Sequence, residues 1–260
     1  MRQLFKRLIF VAVVAIFFAT VMIYNTVSGD DFYNGTLISG MYVNFLTQIT
    51  DGVQMEDAGM QVVYQLARRS IVKVVVKDAA GSGIVWKIDD KGIVIVSSRH
   101  LLMKDVKAQV TFCNEESADA EIMGYSQQYD IGFLRVYDKN VTANIMRNIY
   151  EAVPAEDLTD MPVTQSVLQI GADLSGNKEH FATGTTLGVG YEPVFNTMVL
   201  KTKCYSKAGM SGGGVFDVNG RLLGMISGGE VAEDAEVREA EVSYSIPVTL
   251  IANEYDNLDK

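Results

Sequence analysis

Short runs of β-branched and aliphatic residues, each closed by a turn, recur along most of this chain and limit what it can become. They occupy 71–76, 84–88, 93–96, 108–113 and 131–136, then 167–170, 183–189, 197–202, 215–216 and 222–226. Runs this short, bounded by Gly, Asp and Asn, read as strands rather than helices. Asp89-Asp90-Lys91-Gly92 reads as a hairpin turn between two of them. Many short strands at such spacing form a sandwich or a barrel, so the fold class is all-β. The rhythm breaks over 141–162, where Ile145, Ile149 and Ala152-Val153 fall at helical spacing, and this segment is read as a linker between two β units.

The segment Gly209-Met210-Ser211-Gly212-Gly213-Gly214 stands between two of the strand-like runs. Glycines allow close backbone approach and unusual dihedrals, so Ser211 is held at the mouth of a rigid hairpin. A serine hydroxyl becomes a useful nucleophile only when a base takes its proton. The chain offers two histidines. His180 lies in the polar stretch Gly176-Asn177-Lys178-Glu179-His180 and reads as an exposed loop residue. His100 ends an apolar run and precedes Leu101-Leu102, where a strand gives way to a turn or short helix. Asp130 is a lone acid at the entry of the apolar run 131–136, a position that favours partial burial and hydrogen bonding. The order His100, Asp130, Ser211 matches the chymotrypsin-type triad, a template brought to the sequence.

Five motifs, in this order, carry a family resemblance: Gly81-Ser82-Gly83-Ile84-Val85, Ile95-Val96-Ser97-Ser98-Arg99-His100-Leu101, Tyr129-Asp130-Ile131-Gly132-Phe133-Leu134, Gly209-Met210-Ser211-Gly212-Gly213 and Ser243-Tyr244-Ser245-Ile246-Pro247. Over residues 70 to 250 the chain resembles the trypsin-like serine peptidases of the HtrA (Deg) type. The resemblance implies two six-stranded antiparallel β-barrels, over residues 70–140 and 163–260, and a serine endopeptidase that works through an acyl-enzyme. It implies His100, Asp130 and Ser211 as catalytic residues, Gly209 and Ser211 as backbone donors of an oxyanion hole, and Ser227, Gly228 and Gly229 as the edge that pairs with substrate. It also implies that 204–208 form one wall of the specificity pocket. No acid lies between Cys204 and Gly214, so an apolar residue is expected on the acyl side of the cut. Met210 replaces the family's usual Asn or Asp and is expected to contribute backbone geometry rather than its side chain. Arg99 replaces a small or amide residue before the histidine. After Pro247 the chain is too short for the PDZ domain that many relatives carry. A non-proteolytic relative that binds extended peptides by strand addition, as a sensor or chaperone, is the alternative.

Upstream, Arg2, Lys6 and Arg7 precede seventeen uncharged residues, 8–24, and Asp30-Asp31 follow them. About 17 to 25 apolar residues cross a bilayer, so residues 1–29 are expected to be a cytoplasmic tip and a transmembrane anchor. A cleaved signal peptide ending at Val27-Ser28-Gly29 is the competing reading. Either places the rest outside the cytoplasm. Residues 30–69 are expected to be a helical stalk or linker, with Met55, Gly59, Val62, Val63 and Leu66 on one face and Arg68-Arg69 at its C-terminal end. The expected partners are polypeptide substrates, the membrane through the N-terminal helix, and other copies of the chain, as a trimer by family resemblance. A net charge of −10 argues against nucleic acid. Cys113 and Cys204 are the only cysteines, and they make neither a metal site nor a disulfide framework. No cofactor or metal is expected. Residues 230–241 hold six acids against Arg238 and read as a solvated loop beside the pocket.

Overall fold

Two sets of six strands account for most of the computed structural model, which describes residues 55–156, 158, 161–172, 179–231 and 239–258. In the first set are β1 (Ile71–Val76), β2 (Ala79–Asp89), β3 (Gly92–Ser97), β4 (Lys107–Thr111), β5 (Ser117–Tyr125) and β6 (Gly132–Tyr137). They close as an antiparallel barrel in the order β1-β2-β3-β6-β5-β4. The second set, β7 (Ser166–Ala172), β8 (Glu179–Glu192), β9 (Thr197–Lys207), β10 (Gly214–Asp217), β11 (Leu222–Val231) and β12 (Glu239–Pro247), closes in the order β10-β11-β12-β9-β8-β7. The expectation of two six-stranded barrels holds. The anchor expected over 8–24 lies outside the described residues; among those described, no helix is long and apolar enough to cross a membrane.

The apolar runs form strands because the fold buries both of their faces. Along β3, Ile93 and Ile95 point into the first barrel, while Val94 and Val96 join the cluster shared with the second. All four are fully buried, which explains a run with no polar alternation. The turn between β2 and β3 falls at Asp89-Asp90-Lys91-Gly92. There the Lys91 N–H donates to Asp89 Oδ1 at 2.9 Å and Gly92 takes a φ of 128° that side chains rarely adopt.

Helix α1 (Met55–Ala67) runs into a 3₁₀ turn, Arg68–Ser70. It packs on β7 through Val63 and Ala67, whereas Leu66 points outward, contrary to the helical face expected from the sequence. The two arginines do more than face a helix end. Arg68 makes a forked contact with Glu179 of β8 at 3.0 to 3.2 Å, and Arg69 donates to the Asn148 carbonyl at 3.0 Å.

Three short elements complete the frame: α2 (Arg99–Leu102), α3 (Ala143–Asn148) and α4 (Val248–Leu258). The linker is helical only as far as Asn148, because its next residues leave the helix to hydrogen-bond both barrels. The Ala152 N–H donates to the Val85 carbonyl at 2.9 Å, and Leu222 exchanges bonds with Val153 at 2.7 Å and Ala155 at 2.9 Å. Val153, read as part of the helical pattern, is therefore exposed. Helix α4 closes the seam, its Tyr255 ring 5.4 Å from that of Phe133.

Candidate active site

His100 sits where it does because its neighbours are apolar. Leu101 and Leu102 of α2 are buried in the first barrel, which turns the preceding imidazole outward. Asp130 lies in the β5–β6 loop, where the Ser126 hydroxyl accepts the N–H groups of Gln128 and Tyr129 at 3.1 and 3.0 Å. The two are joined at two points. His100 Nδ1 stands 2.9 Å from Oδ2 and 3.1 Å from Oδ1, and the His100 main-chain N–H donates to Oδ1 at 3.0 Å. A carboxylate on Nδ1 favours the tautomer that leaves the Nε2 lone pair free.

A third donor to Asp130 comes from the other barrel: the Ser227 hydroxyl bonds to Oδ2. Burial works to raise the Asp130 carboxyl, but the donors from His100 and Ser227 outweigh it and hold it below the usual carboxylate range. The hydrogen bond to Asp130 raises the His100 imidazole above its ordinary value of 6.5, against opposing effects of burial and Lys104.

Ser211 reaches this pair through the backbone. The Gly212 N–H donates to the Ile226 carbonyl at 2.7 Å, and the Ile226 N–H donates to the Gly213 carbonyl at 2.8 Å. Ile226 precedes Ser227, so the serine loop is bonded to the strand that also holds Asp130. No hydrogen bond joins His100 Nε2 to the Ser211 hydroxyl in this structure, as is common where no substrate is bound. The donors of residues 209–213 divide sharply. Met210, Gly212 and Gly213 each donate to a backbone carbonyl, whereas the N–H groups of Gly209 and Ser211 have no acceptor among the described residues. Gly209 has a φ of 97° and Gly212 a φ of 88°, which explains glycine at both positions.

Met210 corrects the sequence reading. Its side chain is fully buried in the cluster between the barrels and packs so closely on Gly171 that a Cβ there would meet Met210 Cα at 2.6 Å. The loop is thus anchored by an apolar side chain as well as by its backbone. Beyond Ile226, among the described residues no strand pairs with β11 on the side away from β12, so Ser227, Gly228 and Gly229 present an open edge. The Phe195 ring covers Gly228, 3.1 Å from where a Cβ would stand, and meets the Tyr244 ring edge-on at 6.0 Å. The sequence did not single out Phe195. Its one visible trace was an aromatic residue in a tight turn, Pro193-Val194-Phe195-Asn196.

Two further sequence readings change. His180 is not a loop residue: it lies in β8 opposite Gly171, half-buried, its ring 5.6 Å from that of Tyr205. β8 begins at Glu179, four positions ahead of the run 183–189 from which the strand was read. Within the expected pocket wall 204–208, Cys204 and Ser206 are buried, leaving Tyr205, Lys207 and Ala208 more accessible. Cys113 and Cys204 are both free thiols, and burial pushes the Cys204 thiol up to about 12. Among the described residues no cluster of His, Cys, Asp or Glu could hold a metal ion. The acidic stretch 230–241 lies mostly outside the described residues, which omit 232–238.

The family model of the trypsin-like peptidase domain matches residues 81–225. Protease Do-like 1, chloroplastic, of Arabidopsis thaliana is 27% identical over 191 residues, covering 70% of this chain and 40% of that protein. A Staphylococcus epidermidis protein, serine protease HtrA-like, is 22% identical over 240 residues, covering 85% of this chain and 39% of that protein. The chain thus spans about two fifths of the length of these relatives. Among solved structures, the HtrA-type protease AlgW with a tripeptide superposes with a TM-score of 0.64 at 14% identity, covering 75% of this chain and 62% of that one. Rv3671c from M. tuberculosis gives 0.59 at 16% identity, covering 76% of this chain and 90% of that one. At those identities the structural likeness speaks for the fold alone. With over half its length inside the family model, the chain belongs to the trypsin-like peptidase domain family, and the curated relatives it resembles are Do-like and HtrA-like serine proteases.

Proposed function

We propose that this protein is a serine endopeptidase in which Ser211 is the nucleophile, His100 the general base and then acid, and Asp130 the group that orients His100. The observation that carries the reading is the pair of N–H groups at Gly209 and Ser211 that have no acceptor among the described residues, in a stretch where Met210, Gly212 and Gly213 all use theirs. An oxygen that becomes negative in the transition state needs two such donors, each worth roughly 3–4 kcal/mol in enzymes of this kind.

In the first half-reaction the Ser211 oxygen bonds to the scissile carbonyl carbon as its proton passes to His100 Nε2, and the carbonyl oxygen takes the negative charge. The C–N bond then breaks as the imidazolium gives that proton to the departing amine, leaving an ester on Ser211. Water repeats the sequence: His100 takes its proton, the hydroxide adds to the ester, and the Ser211 oxygen leaves with the proton. The open edge of Ser227, Gly228 and Gly229 accepts the substrate backbone as an added strand. Misfolded or signalling polypeptides outside the cytoplasm are the proposed substrates, with an apolar residue before the cut, since 204–214 hold no acid. Anchoring through residues 8–24 and assembly with other copies of the chain belong to the same proposal; the uncharged run supports the first and the family resemblance the second.

The open edge at Ser227, Gly228 and Gly229 would equally serve a second reading, a peptide-binding relative without turnover. A fluorophosphonate decides between them. Covalent labelling of the wild type, but not of Ser211→Ala, is expected; a wild type that stays unlabelled while binding extended peptides overturns the enzymatic reading.

A further inference from the structure

Gly81-Ser82-Gly83 belongs to none of the roles above, yet the fold presses it against the nucleophile loop. Ser82 is fully buried, and each of its polar groups is used. Its N–H donates to the Ser211 carbonyl at 2.8 Å, and its hydroxyl donates to the Gly209 carbonyl at 2.6 Å. The same hydroxyl accepts the Ala172 N–H at the end of β7 at 2.7 Å, and the Ser82 carbonyl accepts the Ser97 hydroxyl at 2.6 Å. One residue of the first barrel thus holds two carbonyls of a loop that belongs to the second.

The flanking glycines make this approach possible. A Cβ at position 81 would stand 2.9 Å from Leu101 Cδ2 and 3.1 Å from the Ser211 carbonyl oxygen, and one at position 83 would stand 2.7 Å from Ile95 Cγ2. On the other side, a Cβ at position 212 would meet the Ser82 carbonyl oxygen at 2.1 Å. The small residues bring the chains together and the serine between them makes the bonds.

We propose that Ser82 is a positioning residue for the oxyanion-binding groups: by pinning the Gly209 and Ser211 carbonyls, it fixes the Gly209–Met210 and Ser211–Gly212 peptides and so the direction of the Ser211 N–H on the peptide held between them. The inference rests on the reading of Gly209 and Ser211 given above. Gly209, with its φ of 97° and no side chain, offers little resistance to rotation of its peptide, so the hydroxyl supplies the restraint that the residue itself lacks. A donor displaced by about 1 Å can cost roughly 100-fold in rate.

The test uses the full chain. In fluorophosphonate labelling the Ser211 oxygen bonds to phosphorus and fluoride leaves, with negative charge growing on the phosphoryl oxygen in the five-coordinate transition state, so its rate constant reads the oxyanion groups directly; turnover of an apolar tetrapeptide nitroanilide supplies kcat and KM. Ser82→Ala is expected to lower both the labelling rate and kcat by about 10- to 100-fold, with KM changed by less than about threefold. Ser97→Ala removes an equally buried hydroxyl that bonds only to the Ser82 carbonyl and serves as the structural control, expected to keep kcat within about threefold. Ser82→Cys, close in size and a weak donor, covers the case of an alanine variant that does not fold, and an intermediate kcat is expected. Wild-type kcat in a folded Ser82 variant, or equal losses in Ser82→Ala and Ser97→Ala, overturns the inference. A wild type that never labels overturns the functional reading instead.

Discussion

The two barrels share one circular strand order, since β7-β8-β9-β12-β11-β10 repeats β1-β2-β3-β6-β5-β4. His100 follows β3 and Ser211 follows β9, so the proposed base and nucleophile occupy the same connection in the two halves. Their interiors differ. The first is lined by Val72, Val74, Val76, Val85, Ile93, Ile95 and Leu134 with no buried hydrogen-bonded string among them. The second carries one: Gln169 Nε2 donates to Thr202 Oγ1 at 2.6 Å, and the Ser243 hydroxyl is shared between Gln169 Oε1 at 3.2 Å and the Cys204 carbonyl at 2.9 Å. Under the proposed function one topology serves two tasks, a barrel with an apolar lining that sets the His100–Asp130 pair and a partly polar one that presents Ser211 and the open edge.

That division can be broken by experiment. Asp130→Asn removes the charge behind His100 and is expected to cut kcat by about 10⁴-fold while leaving KM nearly unchanged, because the open edge belongs to the other barrel. A large rise in KM with kcat preserved would end the separation of tasks. The interiors differ in the next largest effect. In urea unfolding, Ile95→Ala is expected to cost about 2–5 kcal/mol through the cavity it leaves, and Gln169→Leu about 1–3 kcal/mol through the hydroxyls it strands. The reverse order would show that the polar string, not the apolar lining, dominates. The smallest effect is a shift in pH dependence. Because the hydrogen bond to Asp130 raises the His100 value, the acid limb of kcat/KM should lie above 6.5. The extra stability of the charged pair is complete below 6.5 and is lost as pH rises through the raised value, where activity appears. A limb below 6.5 would show that Asp130 does not act on His100 in solution.

The sequence was most legible where burial left a run of apolar residues. Ten strands carry such runs, and His100, Asp130 and Ser211 each sit at the end of one or between two. The two strands it concealed have other interiors. β5 buries Ala118 and Ala120 in alternation with exposed Ser117, Asp119 and Glu121, too little apolar surface to stand out, and β12 buries Ser243 and Ser245. The bond between Ser227 and Asp130 and the grip of Ser82 on Gly209 were illegible for another reason. Each links residues on different barrels, 97 and 127 positions apart, and a serine announces no partner until the fold supplies one. Met210 misled because only the packed cluster reveals that its side chain, and not just its backbone, holds the loop.

The connector between the barrels grips Arg69, Val85 and Leu222 chiefly through main-chain N–H and carbonyl groups of residues 150–155. Such a seam depends on few of its side chains, buried Ala152 among them, and on the absence of proline at the donating positions. Its outer surface can therefore drift in composition, or acquire contacts for regulators, while the width of the cleft it spans stays constant.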